Sequence, residues 1–121
     1  MSNPKCEFDV FISYEEDIKE YAGKCHAKLQ ASGYKVWRDT NLANKNAIRQ
    51  LADSILNAQI FLCLMTRKYC DSDESNREID YAFKCRKNIV YLMIDNIIFE
   101  ETGPIGFMMG NAVVIECFKN M

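Results

Sequence analysis

The side chains able to do chemistry fall in a few short stretches. Ser13 and Tyr14 put a hydroxyl and a phenol at the end of the run Phe8-Asp9-Val10-Phe11-Ile12-Ser13-Tyr14, and three acids, Glu15, Glu16 and Asp17, follow at once. Ser72, Ser75 and Glu78 recur at intervals of three, and Trp37 is the single tryptophan. Read from the residues alone, Ser75-Asn76-Arg77-Glu78 is a capping box, with Ser75 opening a helix and Glu78 reaching back from its third position. Ser72 then reads as a loop hydroxyl and Trp37 as packing. The acids after Tyr14 imitate half of a metal-assisted phosphoryl-acceptor site, but Thr66 or Arg67 falls where such a site needs a further aspartate. No Gly-rich phosphate loop is present.

The cysteines, Cys6, Cys25, Cys63, Cys70, Cys85 and Cys117, are scattered and no two form a C-x-x-C pair. Cys25, Cys63 and Cys85 stand inside apolar patterns, where a thiol serves as a small hydrophobe. Reduced thiols in a cytoplasmic protein are expected. His26 is the only histidine and has no partner spacing, so no metal is expected. A net charge of -2 gives no electrostatic case for nucleic acid or an anionic membrane. The longest apolar runs, Ile60–Met65 and Ile89–Ile94, are too short to span a bilayer, and no charged and apolar leader pattern suggests secretion.

Strands and helices must position these groups. The 121 residues suit one domain, 1–121, with a core over about 8–117. Phe8–Ser13 reads as a strand, followed by a helix from about Glu16 to Ser32 with the stripe Ile18, Tyr21, Ala22, Cys25 and Leu29. Gly33 stands where a left-handed helix cap belongs. Tyr34–Arg38 reads as an edge strand with Val36 and Trp37 on opposite faces. A polar loop, Asp39–Asn46, leads to a helix capped by Asn44 or Asn46, with Ile48, Leu51, Ala52 and Ile55 inward. Ile60–Met65 is a strand covered on both faces, Thr66–Asp71 a polar connection, and Ser75–Arg86 a helix with acids before and basic residues after it. Ile89–Ile94 and Ala112–Ile115 are further strands, around an irregular stretch holding one helical turn.

This alternation specifies an α/β fold: a flavodoxin-like, doubly wound, five-stranded parallel sheet of order 2-1-3-4-5, with the last covering helix short or absent. Its ligand cleft lies at the carboxyl ends of the first and third strands, where the strand order reverses.

Three stretches in this order, Phe8–Tyr14 (FDVFISY), Tyr34–Asp39 (YKVWRD) and Ser72–Ala82 (SDESNREIDYA) followed by Lys87–Ile94 (KNIVYLMI), resemble the Toll/interleukin-1 receptor (TIR) domain. The resemblance extends over about Phe8 to Cys117. Some TIR domains are scaffolds; others cleave NAD+ at the nicotinamide–ribose bond and in some cases cyclise the product. The enzymes carry a glutamate in a Ser-x-x-Cys-x-x-Glu pattern, which falls here on Ser72, Ser75 and Glu78, with serine in place of cysteine. The resemblance implies Glu78 as the catalytic residue and Tyr14, Trp37, Ser72 and Ser75 as substrate-binding. It further implies assembly through the loop holding Asp39, Asn41, Ala43 and Asn44, other TIR domains as partners on activation, and NAD+ as substrate without a further cofactor.

A carboxylate suits that reaction. The nicotinamide leaves neutral and needs no proton donor, while the ribose gains oxocarbenium character that a nearby anion stabilises. An aromatic face such as Trp37 or Tyr14 attracts the cationic ring. Two expectations follow: an NAD+-consuming enzyme that works when self-associated in innate-immune or cell-death type signalling, or a non-catalytic scaffold. The acids Glu15–Asp17, which would repel a pyrophosphate, favour the second, and Glu74 stands where some hydrolases have an aromatic residue.

Overall fold

The structure is a computed structural model that describes residues 6–38, 47–97, 102–110 and 112–117. Five parallel strands form one sheet in the order β2-β1-β3-β4-β5. They are β1 (Phe8–Ser13), β2 (Val36–Arg38), β3 (Ala58–Met65), β4 (Asn88–Met93) and β5 (Val113–Glu116). Among the described residues the helices are α1 (Lys19–Ala31), α2 (Ala47–Leu56), α3 (Arg67–Asp71), α4 (Asp73–Lys84) and α5 (Ile105–Met109).

Register fixes which side chains share a face. Phe11 aligns with Trp37 on β2 and with Phe61 on β3, and Phe61 aligns with Ile89 on β4. The Phe11 and Phe61 rings stack at 5.5 Å. This row packs with Ile55 of α2 and with Ile79 and Ala82 of α4. Side chains point alternately to opposite faces along a strand, so Val10, Ile12 and Leu64 face the other way. There they meet Ala22, with Ile18, Tyr21, Cys25 and Leu29 packed around them, which is the apolar stripe read from the sequence. Helices on both faces explain the unbroken apolar runs of β3 and β4.

Several local expectations shift. The stretch before α1 is a 3-10 turn, Glu16–Ile18, and the helix proper starts at Lys19. The second strand begins at Val36 because Tyr34 still belongs to the helix cap: Tyr34 N–H donates to Leu29 O and Gly33 N–H to Gln30 O. Gly33 takes φ 96°, the left-handed value that such a cap requires. Ile48, expected inward, is 80% exposed, while Ile55 is buried. The expected caps of α2, Asn44 and Asn46, lie outside the described residues, as does the assembly loop with Asp39, Asn41, Ala43 and Asn44.

Thr66–Asp71, expected as a polar connection, is largely the helix α3. Its cap is Thr66 Oγ1, which accepts from Tyr69 N–H at 3.1 Å, and Tyr69 and Cys70 are buried beneath it. The helix expected over Ser75–Arg86 begins at Asp73 and ends at Lys84. At its end Arg86 N–H donates to Phe83 O and Lys87 N–H to Ala82 O. That puts Arg86, not a glycine, at φ 59°. A side chain is strained there, while glycine is not.

Replacing Arg86 with glycine is therefore expected to stabilise the domain by about 0.5–1 kcal/mol, the relieved strain exceeding the glycine's extra unfolded-state entropy. Urea denaturation of Arg86→Gly beside the parent chain measures it.

Candidate functional site

β1 ends in a polar residue with no access to water: Ser13 is 1% exposed. Its register partner is Cys63 on β3, and Cys63 aligns with Tyr91 on β4. A row of polar side chains thus crosses the sheet one step beyond the Phe11–Phe61–Ile89 row, on the face covered by α4. Burial makes such groups costly unless they find partners. The Ser13 hydroxyl finds two, Tyr69 Oη from α3 at 2.7 Å and Glu78 Oε1 from α4 at 3.0 Å.

The direction of these bonds follows from counting protons. An ionised carboxylate only accepts, so Ser13 donates its single proton to Glu78. Its oxygen then accepts from the Tyr69 O–H. Burial holds the Tyr69 phenol well above its ordinary range, so it keeps that proton. Burial pushes the pKa of the neighbouring Cys63 thiol up as well. Tyr91, too, is raised by burial, and its hydroxyl finds no partner among the described residues.

Glu78 reaches this position because α4 starts earlier than the capping box implies. The cap is Ser72, whose Oγ accepts from Ser75 N–H at 3.3 Å. Ser75 is thus the third helical residue and is itself buried, while Glu78 lies in the second turn, clear of the cap. The reading of Ser75 as cap and Glu78 as its reciprocal partner is corrected accordingly: Ser72 is the cap, not merely a loop hydroxyl. Ser72 also closes α3, and Asn76 Nδ2 locks the joint by donating to Cys70 O at 2.9 Å and Ser72 O at 2.7 Å. Arg67 ties the start of α3 to the exit of β4: its N–H donates to Asp95 Oδ2 at 3.0 Å and its Nη2 to Asn96 O at 2.8 Å.

Glu78 also lines a groove of ≈ 460 Å³ between α2 and α4. One wall is apolar (Ile48, Leu51, Ala52, Ile55) and the other carries Glu74, Arg77, Glu78 and Tyr81. The structure thus joins Glu78 to Ser13, while Ser72 and Ser75 pair with each other at the head of α4. Trp37 lies on the same face of the sheet, with its ring 5.3 Å from that of Phe8 and its Nε1 buried. Tyr14 packs instead with the cluster under α1, where the Arg38 guanidinium lies 5.9 Å from its ring centroid. Arg38 Nε also donates to His26 Nδ1 at 3.3 Å, and burial, then the Arg38 charge, lowers the His26 pKa.

Sequence reasoning missed Tyr69 and Cys63 as parts of the site. Tyr69 had a readable signal in Thr66-Arg67-Lys68-Tyr69, a threonine three residues before a large apolar side chain, as at a helix start. Cys63 had none, since a buried thiol in a strand reads as a hydrophobe.

An α/β domain with a carboxylate held at the tip of its first strand, where the strand order reverses, is the class these features define. The family profile described as TIR domain matches residues 10–120. The chain belongs to the TIR-domain family. No curated protein matches it in sequence. Among solved structures it is similar to the TIR domain of the Toll-related receptor TRR-2 from Hydra magnipapillata, at a TM-score of 0.74 and 16% identity, over 93% of this chain and 86% of that one. It is similar to the TIR domains of the activated Roq1 resistosome, at 0.68 and 16% identity, over 87% and 70%. The CMP N-glycosidase BcmB of Clostridium botulinum superposes at 0.66 with 17% identity, over 89% and 86%. At such identities these likenesses speak to the fold. No described helix is long and apolar enough to cross a membrane.

The two capping registers separate by mutation. Ser72→Ala is expected to lower the unfolding free energy by about 1 kcal/mol, and Ser75→Ala by less, as read by chemical denaturation. The reverse order would restore the Ser75 capping box.

Proposed function

We propose that this domain cleaves NAD+ at the nicotinamide–ribose bond, with Glu78 as the catalytic carboxylate. One observation carries the reading: Glu78 is held by Ser13 at 3.0 Å, at the carboxyl end of β1, and faces a groove large enough to admit a ring. In this reaction the C1′–N bond breaks, its electron pair leaves with neutral nicotinamide, and water or a hydroxyl of the product adds to C1′. Glu78 stabilises the positive charge that C1′ acquires and orients the ribose hydroxyls. The apolar wall of Ile48, Leu51, Ala52 and Ile55 suits the flat ring. Trp37, on the α4 face of β2, is the aromatic candidate for the site, whereas Tyr14 packs under α1 on the opposite face of the sheet. The fold shared with an N-glycosidase supports the class of chemistry.

The membership in the TIR family and the likeness to the resistosome TIR domains support activity in an assembled state, in immune or cell-death signalling, with other copies as partners. A second reading, a scaffold without turnover, draws on the acids after Tyr14: Glu16 and Asp17 lie exposed beside the tip of β1, Glu16 pairing with Lys19 at 3.7 Å.

Nicotinamide release, followed by chromatography over a series of protein concentrations, tests the proposal. Turnover per molecule is expected to rise with concentration, and Glu78→Ala and Glu78→Gln to lower it by about 100-fold, the scale of removing one preorganised electrostatic group. Equal activity in the parent and both variants would overturn the catalytic reading. Self-association retained in Glu78→Ala, with no nicotinamide released by the parent chain, would establish the scaffold.

A further inference from the structure

We propose that Tyr69 is a positioning residue for Glu78, acting through the Ser13 hydroxyl, so that the site is completed by a chain of buried donors that runs from the interior of the sheet to the carboxylate. The inference rests on the reading of Glu78 as the catalytic carboxylate.

The chain draws on separate elements: Tyr69 on α3, Ser13 on β1 and Glu78 on α4. Tyr69 and Cys63 are fully buried and Ser13 nearly so. Phenylalanine and alanine would fill the places of Tyr69 and Ser13 without any polar atom to desolvate. The hydroxyls are therefore costly to core packing, and what they supply is direction.

Glu78 Oε1 accepts from Ser13, and that bond fixes the polarity of the next link. Ser13 must donate to Glu78 Oε1, and Tyr69 must donate to Ser13. If Tyr69 were turned away, Ser13 could rotate its proton toward another acceptor and present a lone pair to the carboxylate at 3.0 Å, which is repulsive. The Tyr69 donor removes that alternative. Its ring cannot swing aside, since α3 is held by the Thr66 cap and by the Arg67 bonds to Asp95 and Asn96. Bonds that all point the same way also polarise one another and strengthen the last of them. The carboxylate is thereby confined to one rotamer at the opening of the groove. A catalytic anion misplaced by an ångström loses much of its effect, so loss of a distant hydroxyl should appear in the chemical step.

The experiment compares Tyr69→Phe, Ser13→Ala, Ser13→Thr and the double variant Ser13→Ala/Tyr69→Phe with the parent and with Glu78→Ala. Tyr69→Phe is expected to lower kcat for nicotinamide release about 10-fold with KM within about 2-fold, the signature of an interaction made in the transition state. Ser13→Ala should lose at least as much, and Ser13→Thr, which keeps the hydroxyl, should recover most of it. The double variant should match Ser13→Ala within about 2-fold, because Tyr69 acts only through Ser13. Additive losses that track the melting temperature would overturn the proposal in favour of plain core packing. Parental kcat in Tyr69→Phe beside an inactive Glu78→Ala would overturn the relay and leave the role of Glu78 standing. Should Glu78→Ala retain full activity, the catalytic reading falls, and the chain is judged by NMR alone. A Glu78 side-chain carboxyl carbon resonance that moves in Tyr69→Phe and Ser13→Ala and returns in Ser13→Thr supports it; an unmoved resonance overturns it.

Discussion

The Ser13 hydroxyl has one proton and lies between two oxygen atoms, Tyr69 Oη at 2.7 Å and Glu78 Oε1 at 3.0 Å, and this shortage orders the carboxyl end of the sheet. It sets which group donates and holds a helix that arrives late in the chain to the tip of the first strand. The surrounding structure serves the same constraint. The parallel register brings Ser13, Cys63 and Tyr91 into one row, and the short helix α3 lowers Tyr69 onto it. Without a joint at Ser72, α4 would not start where its second turn meets Ser13.

That joint shows how little chain the arrangement needs. Ser72 ends one helix and caps the next with the same backbone. Capping by Ser72 instead of Ser75 moves the start of α4 by three residues. The shift takes Glu78 out of the first turn, where it would have bonded to its own helix, and frees it to reach another element. The dipole argument survives the shift, since Asp73 and Glu74 occupy the first turn and Lys84 the last.

Much of the fold was legible in the sequence for identifiable reasons. β3 and β4 are covered on both faces, so their apolar runs are unbroken. α1 lies on one face of the sheet, so its stripe is clean, and Gly33 marks its end. Legibility failed where two signals competed. Ser72 and Ser75 both precede the apolar residues of α4, and the acid three residues after Ser75 made the wrong serine the better match. α3 is too short for any periodicity to register, and Ile48 keeps the helical spacing of its stripe while remaining exposed. For the site, the residues with charge or a family pattern were visible. Those buried in the interior, Tyr69 with its bond to Ser13 and Cys63 beside it, looked like core.

Cys63, beside Ser13 in the sheet, has a consequence for how the site ages. Oxidants attack thiolates, and burial makes a thiolate at Cys63 scarce while denying peroxide a path to it. Cys70 is buried too, whereas Cys6, Cys25, Cys85 and Cys117 are only partly covered and are better placed to be oxidised first. A domain under oxidative stress would therefore collect sulfenic acids or mixed disulfides around its rim while the carboxylate stays aimed.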